Sequence, residues 1–304
     1  MQIFLLVLKI VLIVLGGALG LLLLLVIFGF LSGLFTGHKD EYSKDSPFYR
    51  FVLNSMTGLV LFIAGAKLVH EGEELPEGRF LIVSNHRSNF DPIVTWYKFR
   101  KRPISFVTKP SNLKVPFYGN IVKRCLFLPI DRQNARNAVK TIDKAAEYLI
   151  NDVVNVGIYP EGTRSKTFQL LRFHNGAFKI AQKAGVPIVV VCLTGTEKIK
   201  DNWLRRRTLV TLNVAEIIPA ERHMGMTTSE IGCEVKEVLL RELRKAEPWR
   251  VHDKAEADAK EEAGADAKAD AKEEAGAGAK EEAKAEAEAA AKADAKEVSA
   301  SIDT

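Results

Sequence analysis

Two short apolar runs, each ending abruptly in a dense polar cluster, constrain this chain more than any other feature. Phe80-Leu81-Ile82-Val83 leads into Asn85-His86-Arg87-Ser88-Asn89-Phe90-Asp91, and Asn155-Val156-Gly157-Ile158-Tyr159 leads into Pro160-Glu161-Gly162-Thr163-Arg164-Ser165. Apolar runs of this length, bounded by turn-forming residues, read as buried strands. Each polar cluster then lies where a strand leaves a sheet.

The rest of the middle of the chain fits such a sheet. Residues 104–108, 127–130, 156–159, 186–193 and 209–215 read as strands rich in Val, Ile and Leu. Residues 135–150 carry Val139, Ile142, Ala146 and Leu149 on one helical face, and a shorter helix over 176–184 is ended by Gly185 and Pro187. A last helix starts at Thr227, whose spacing to Glu230 fits a capping box, and presents Ile231, Val235, Val238 and Leu239. Strands alternating with helices predict an α/β fold, a layered sheet-and-helix core. Ligands bind such cores beyond the strand ends, where both clusters fall.

The first cluster places the imidazole of His86 five positions before the carboxylate of Asp91. A histidine held by a carboxylate is the equipment of general-base catalysis on a hydroxyl. Alone, the same spacing is equally met by a loop histidine followed by Asp-Pro turn chemistry at Asp91-Pro92. In the second cluster Gly162 permits close backbone approach, while Glu161, Thr163 and Arg164 surround it with a carboxylate, a hydroxyl and a guanidinium. That is the composition of an anion-binding turn, because arginine grips phosphate at two points. A salt-bridged structural turn would share the composition. Two such clusters at two strand ends, about 75 residues apart, are hard to obtain by chance.

In these blocks the chain resembles the glycerolipid acyltransferases, the family typified by 1-acyl-sn-glycerol-3-phosphate acyltransferases. Asn85-His86-x-Ser88-x-x-Asp91 is similar to the family's catalytic motif, and Pro160-Glu161-Gly162-Thr163-Arg164 to its phosphate-binding block. Pro116-Phe117-Tyr118-Gly119 and Leu128-Pro129-Ile130-Asp131-Arg132 resemble the block between, and the proline-bearing run 186–191 resembles the last. The likeness covers roughly residues 67–220. The family often has Lys-x-Glu-Leu after the second strand, whereas Lys109-Pro110-Ser111-Asn112-Leu113 here lacks the glutamate. The resemblance implies transfer of a fatty acyl group from acyl-CoA or acyl carrier protein to the hydroxyl of lysophosphatidic acid. Glycerol-3-phosphate or another lysolipid is the alternative acceptor, and a non-catalytic lipid-binding protein the alternative class. His86 and Asp91 would be catalytic, with Glu161, Gly162, Thr163, Arg164, Arg132 and Lys109 around the acceptor phosphate, Glu161 alternatively fixing Arg164 or the turn. No metal or other cofactor is implied, because the thioester supplies the driving force. No Gly-x-Ser-x-Gly elbow is present and no cysteine adjoins a histidine, which favours direct transfer over an acyl-enzyme.

The two ends of the chain differ from this core. Residues 3–34 are almost wholly apolar, interrupted by Lys9 and small residues, and are long enough for a bilayer-spanning helix. A signal peptide would have a shorter apolar region, of about 7–15 residues. A second run, 51–68, suits a short span, an interfacial helix or a buried helix. Residues 251–304 are nearly pure Ala, Glu, Asp and Lys, with residues 257–265 repeated unchanged at 269–277. They lack the large apolar side chains that offset the entropy of folding. The expected organisation is therefore an anchor over 1–36, a connector over 37–66, an acyltransferase domain over 67–250 and a low-complexity tail over 251–304.

The net charge of +5 conceals an asymmetry. The tail carries 8 Lys against 16 Asp and Glu, which leaves the first 250 residues at +13. A basic body beside a membrane anchor suits anionic lipid and phosphorylated substrates, and makes nucleic acid an improbable partner. The cluster Lys198, Lys200, Arg205, Arg206 and Arg207, with Trp203 beside it, reads either as an interfacial patch or as a solvated loop. Cys125, Cys192 and Cys233 show no metal-ligand or redox spacing, consistent with a reducing, cytoplasmic setting. These features, with the resemblance, place the expected catalytic domain on the cytoplasmic side of a membrane, the inner membrane if the source is bacterial. The other histidines have no partner at recognisable spacing and read as non-catalytic, although His174 follows the phosphate cluster by only ten residues.

Overall fold

The computed structural model describes residues 42–248 apart from Gln133 and 204–206, together with scattered positions before residue 32. The expected anchor falls largely, and the tail wholly, outside these residues. Among the described residues no helix is long and apolar enough to cross a membrane.

Seven strands form one sheet in the order β1-β7-β6-β2-β5-β3-β4. They are β1 (Ala66–Gly72), β2 (Leu81–Ser84), β3 (Ile104–Thr108), β4 (Leu128–Pro129), β5 (Asn155–Ile158), β6 (Ile188–Thr194) and β7 (Thr208–Ile218). All neighbours run parallel except the antiparallel pair β6 and β7. Central parallel strands are covered on both faces, which explains why β2 and β6 read as unbroken apolar runs.

Alternate strand residues feed two cores. Leu81, Val83, Val156, Ile158, Ile188 and Val190 face one way, where α4 (Ala135–Ile150), α5 (Lys179–Ala184) and α8 (Thr228–Ala246) contribute Ile142, Leu149, Ile180, Val235 and Leu239. Phe80, Ile82, Phe106, Val189, Val191 and Leu193 face the other, against α1 (Pro47–Ile63), α2 (Asp91–Lys98) and α3 (Tyr118–Arg124). Two five-residue-or-shorter helices, α6 (Lys198–Asn202) and α7 (Ala220–His223), flank β7. The Thr227–Glu230 capping box is present as expected at the start of α8.

Two elements depart from the sequence reading. The second apolar run resolves into α1, a turn at Gly65 with φ +63°, and the unforeseen edge strand β1. Asp91-Pro92 opens a helix instead of a simple turn. Proline in the first turn has no hydrogen bond to lose there, and an acid in that turn faces the positive helix end.

A candidate active site at two neighbouring strand ends

β2 and β5 are direct neighbours, with Val83 opposite Ile158, so their two exit loops emerge side by side. Asn85 ends the first strand by pairing its side chain with β6. Its Nδ2 donates to the Leu193 carbonyl at 2.9 Å and its Oδ1 accepts from the Leu193 N–H at 2.8 Å. The chain then turns sharply into α2, whose first residue, Asp91, is fully buried.

The buried carboxylate of Asp91 is saturated with donors. Oδ2 accepts from the backbone N–H of Arg87 at 2.6 Å and of Ser88 at 2.7 Å, and it lies 2.8 Å from Nδ1 of His86. The Thr196 hydroxyl donates to the other oxygen. A carboxylate accepts, so Nδ1 of His86 donates to it, and in the neutral ring the lone pair lies on Nε2. That is the tautomer a general base requires. The His86 side chain is 19% exposed, enough for a substrate to reach it. The structure therefore brings together the pair expected from the sequence.

The second loop is fastened to the first. Ser165 N–H donates to the His86 carbonyl at 2.8 Å. Of the two places expected for Glu161, its contacts match the one that fixes the turn. Its buried carboxylate accepts from the His86 N–H at 2.6 Å and from the Leu171 N–H at 2.9 Å, so it joins the His86 loop to the far side of its own loop. A carboxylate turned inward in this way orients backbone and offers an anion nothing.

Burial pushes the Glu161 carboxyl up to about 7, against the pull of its two N–H donors. Its folded value lies above the unfolded value, so its stability contribution is complete below about pH 4.5 and is lost as pH rises to about 7. The Glu161→Gln protein should lack this slope. Melting temperature followed from pH 4.5 to 7 should be flatter in the variant than in wild type. Its activity should also fall, because the amide places an N–H₂ against a backbone N–H.

Around the loop lie the remaining expected groups. Thr163, Arg164 and Lys109 are exposed, and none has a hydrogen bond or ion pair to another described side chain. Gly162 has φ +69°, and a Cβ there would come within 2.8 Å of His174 Cδ2 and 3.4 Å of Arg132 Nε. Arg132 therefore joins the cluster, and so does His174, which the sequence reading set aside. Burial and the neighbouring Arg132 and Arg172 charges lower the His174 pKa and so favour its neutral ring. A neutral imidazole packed on the glycine turn leaves the positive charge to the arginines. We expect Gly162→Ala to reduce activity by about tenfold or more, through a strained left-handed backbone and a displaced His174 ring. Steady-state rates beside a far-ultraviolet spectrum would check this.

Arg87, inside the first cluster, has a structural task. It is buried, ion-paired to Glu247 at 2.8 Å and bonded to the Phe168 carbonyl at 2.7 Å. These partners lie 160 and 81 positions away, so no local spacing announces them. Cys125 and Cys192 are buried, and burial pushes both thiols up to about 12, which makes them poor nucleophiles. Among the described residues no group of three or more His, Cys, Asp or Glu side chains is arranged to hold a metal ion.

Known proteins carry the same arrangement of sequence. Residues 67–194 match the family model described as Acyltransferase. The 1-acyl-sn-glycerol-3-phosphate acyltransferases of Salmonella typhimurium and Escherichia coli are each 31% identical over 201 residues, which span 65% of this chain and 80% of theirs. That of Haemophilus influenzae is 35% identical over 125 residues, 41% of this chain and 52% of its own. The crystal structure of the 1-acyl-sn-glycerophosphate acyltransferase PlsC from Thermotoga maritima shares the fold, with a TM-score of 0.53 and 24% identity over 66% of this chain and 81% of that one. A family match over the segment that holds both loops, and 31% identity across four fifths of two enzymes' lengths, lead to one conclusion: this chain belongs to the acyltransferase family and is a transferase.

Proposed function

We propose that the protein transfers a fatty acyl group from a thioester, acyl-CoA or acyl carrier protein, to the free hydroxyl of lysophosphatidic acid, yielding phosphatidic acid for phospholipid synthesis. The observation that carries this reading is the His86–Asp91 pair beside a loop whose exposed Arg164 and Thr163 side chains have no partner among the described residues. The names of the bacterial relatives support the same acceptor.

In this reading Nε2 of His86 takes the hydroxyl proton as that oxygen attacks the thioester carbonyl. Asp91 holds the ring and stabilises its protonated form. The carbon–sulfur bond breaks, the sulfur leaves with the proton returned by the imidazolium, and an ester and a free thiol result. Arg164, with the backbone of Gly162 and the Thr163 hydroxyl, grips the acceptor phosphate, and Arg132 and Lys109 add positive charge.

Residues 3–34 serve as a membrane anchor in this proposal, with the catalytic domain on the cytoplasmic side and lipid as its immediate surroundings. Helix α1 supports a membrane setting. Its exposed Phe48, Phe51 and Phe62 fall on one helical face, and Phe62 is 82% exposed. Release of free thiol from acyl-CoA tests the activity. It should depend on added lysophosphatidic acid and be weaker with glycerol-3-phosphate or other lysolipids. Release that ignores the acceptor would overturn the proposal.

A further inference from the structure

The ring of Tyr159 is stacked on the imidazole of His86, with centroids 4.5 Å apart and planes inclined by 27°. Tyr159 is also stacked with Phe106, at 6.0 Å and 11°. Phe106 in turn lies over Gly157, where a Cβ would come within 2.4 Å of the ring. Only a glycine in β5 leaves room for this aromatic series beneath the histidine.

The hydroxyl end of Tyr159 is equally committed. Thr95 Oγ lies 2.9 Å from the Asp91 carbonyl and 3.2 Å from the Tyr159 oxygen. Thr95 has one proton, and the carbonyl can only accept it, so Tyr159 must donate to Thr95. Burial first, and the Asp91 charge second, hold the Tyr159 phenol well above its usual range, so that proton is present throughout the neutral range. The ring touching His86 is thereby tied to the backbone of the residue whose carboxylate orients His86.

We infer that Tyr159 is a positioning residue for acyl transfer, whose ring fixes the plane of the His86 imidazole and whose electron-rich face stabilises the imidazolium formed when His86 takes a proton. This rests on the role of His86 in the proposed reaction. A cation over an aromatic face is attracted to it, whereas neutral imidazole gains far less. The attraction therefore grows towards the transition state and raises kcat without tightening substrate binding.

Fluorinated phenylalanines at position 159 separate this role from packing, because each fluorine withdraws charge from the ring face and scarcely changes its shape. We expect Tyr159→Phe to stay within about threefold of wild type, since it keeps the face and loses one neutral hydrogen bond. Mono-, di- and trifluorophenylalanine should then lower kcat stepwise, by roughly 5- to 30-fold in total, with both KM values unchanged. A flat kcat across the series in an enzyme that transfers acyl groups would overturn the role of Tyr159 alone, as would changes confined to KM. Failure of the wild-type protein to show acceptor-dependent thiol release would overturn both readings together.

Discussion

The His86→Ala protein should fold and lose nearly all transfer. The side chain sits on a strand-end loop, and its one side-chain hydrogen bond among the described residues goes to an oxygen that keeps two backbone donors without it. Removing a general base typically costs about 10²–10⁴-fold in rate. Retention of more than about a tenth of wild-type turnover by a folded His86→Ala protein would exclude the imidazole as the base. Asp91→Asn should act in the same direction with a smaller effect. An asparagine can turn its oxygen towards the Arg87, Ser88 and His86 donors and its N–H₂ towards Thr196, whose hydroxyl can accept. That substitution keeps the ring in place and removes only the negative charge that favours the imidazolium.

The reasons this site is partly legible in the sequence lie in what its parts depend on. Buried parallel strands need apolar side chains on both faces, so β2, β3, β5 and β6 show themselves as runs, and the strand-end loops follow from them. Helix α4 and the capped start of α8 depend on periodicity and on contacts three residues apart, and both are where the sequence places them. Edge strand β1 pairs with β7 alone and mixes Lys67, His70 and Glu71 among its apolar residues, so it has no such run. Tertiary side-chain commitments are hidden for a different reason. Glu161 in an anion-binding turn reads as a ligand or a clamp for Arg164, and only the fold shows that its carboxylate turns inward to His86 and Leu171. His174 and Tyr159 are likewise ordinary residues in sequence. Their roles come from the left-handed turn at Gly162 and from the space left by Gly157.

Arg164→Lys distinguishes a phosphate ligand from a structural cation. The side chain is exposed and is bonded to no other described residue, so the folded domain does not depend on its geometry. Lysine keeps the charge and loses the planar two-point grip on phosphate oxygens. A charge-assisted hydrogen bond contributes about 1.5–3 kcal/mol, so acceptor kcat/KM should fall roughly 10- to 100-fold. The effect should concentrate in the apparent KM for lysophosphatidic acid and leave the KM for the acyl donor nearly unchanged. The melting temperature should move by no more than about 2 °C, as for an exposed substitution in a domain of this size. If Arg164 instead held the turn together, donor and acceptor would suffer equally and the melting temperature would drop. Measuring both KM values beside a melting curve decides between these outcomes, and the second would remove Arg164 from the site and weaken the choice of a phosphate-bearing acceptor.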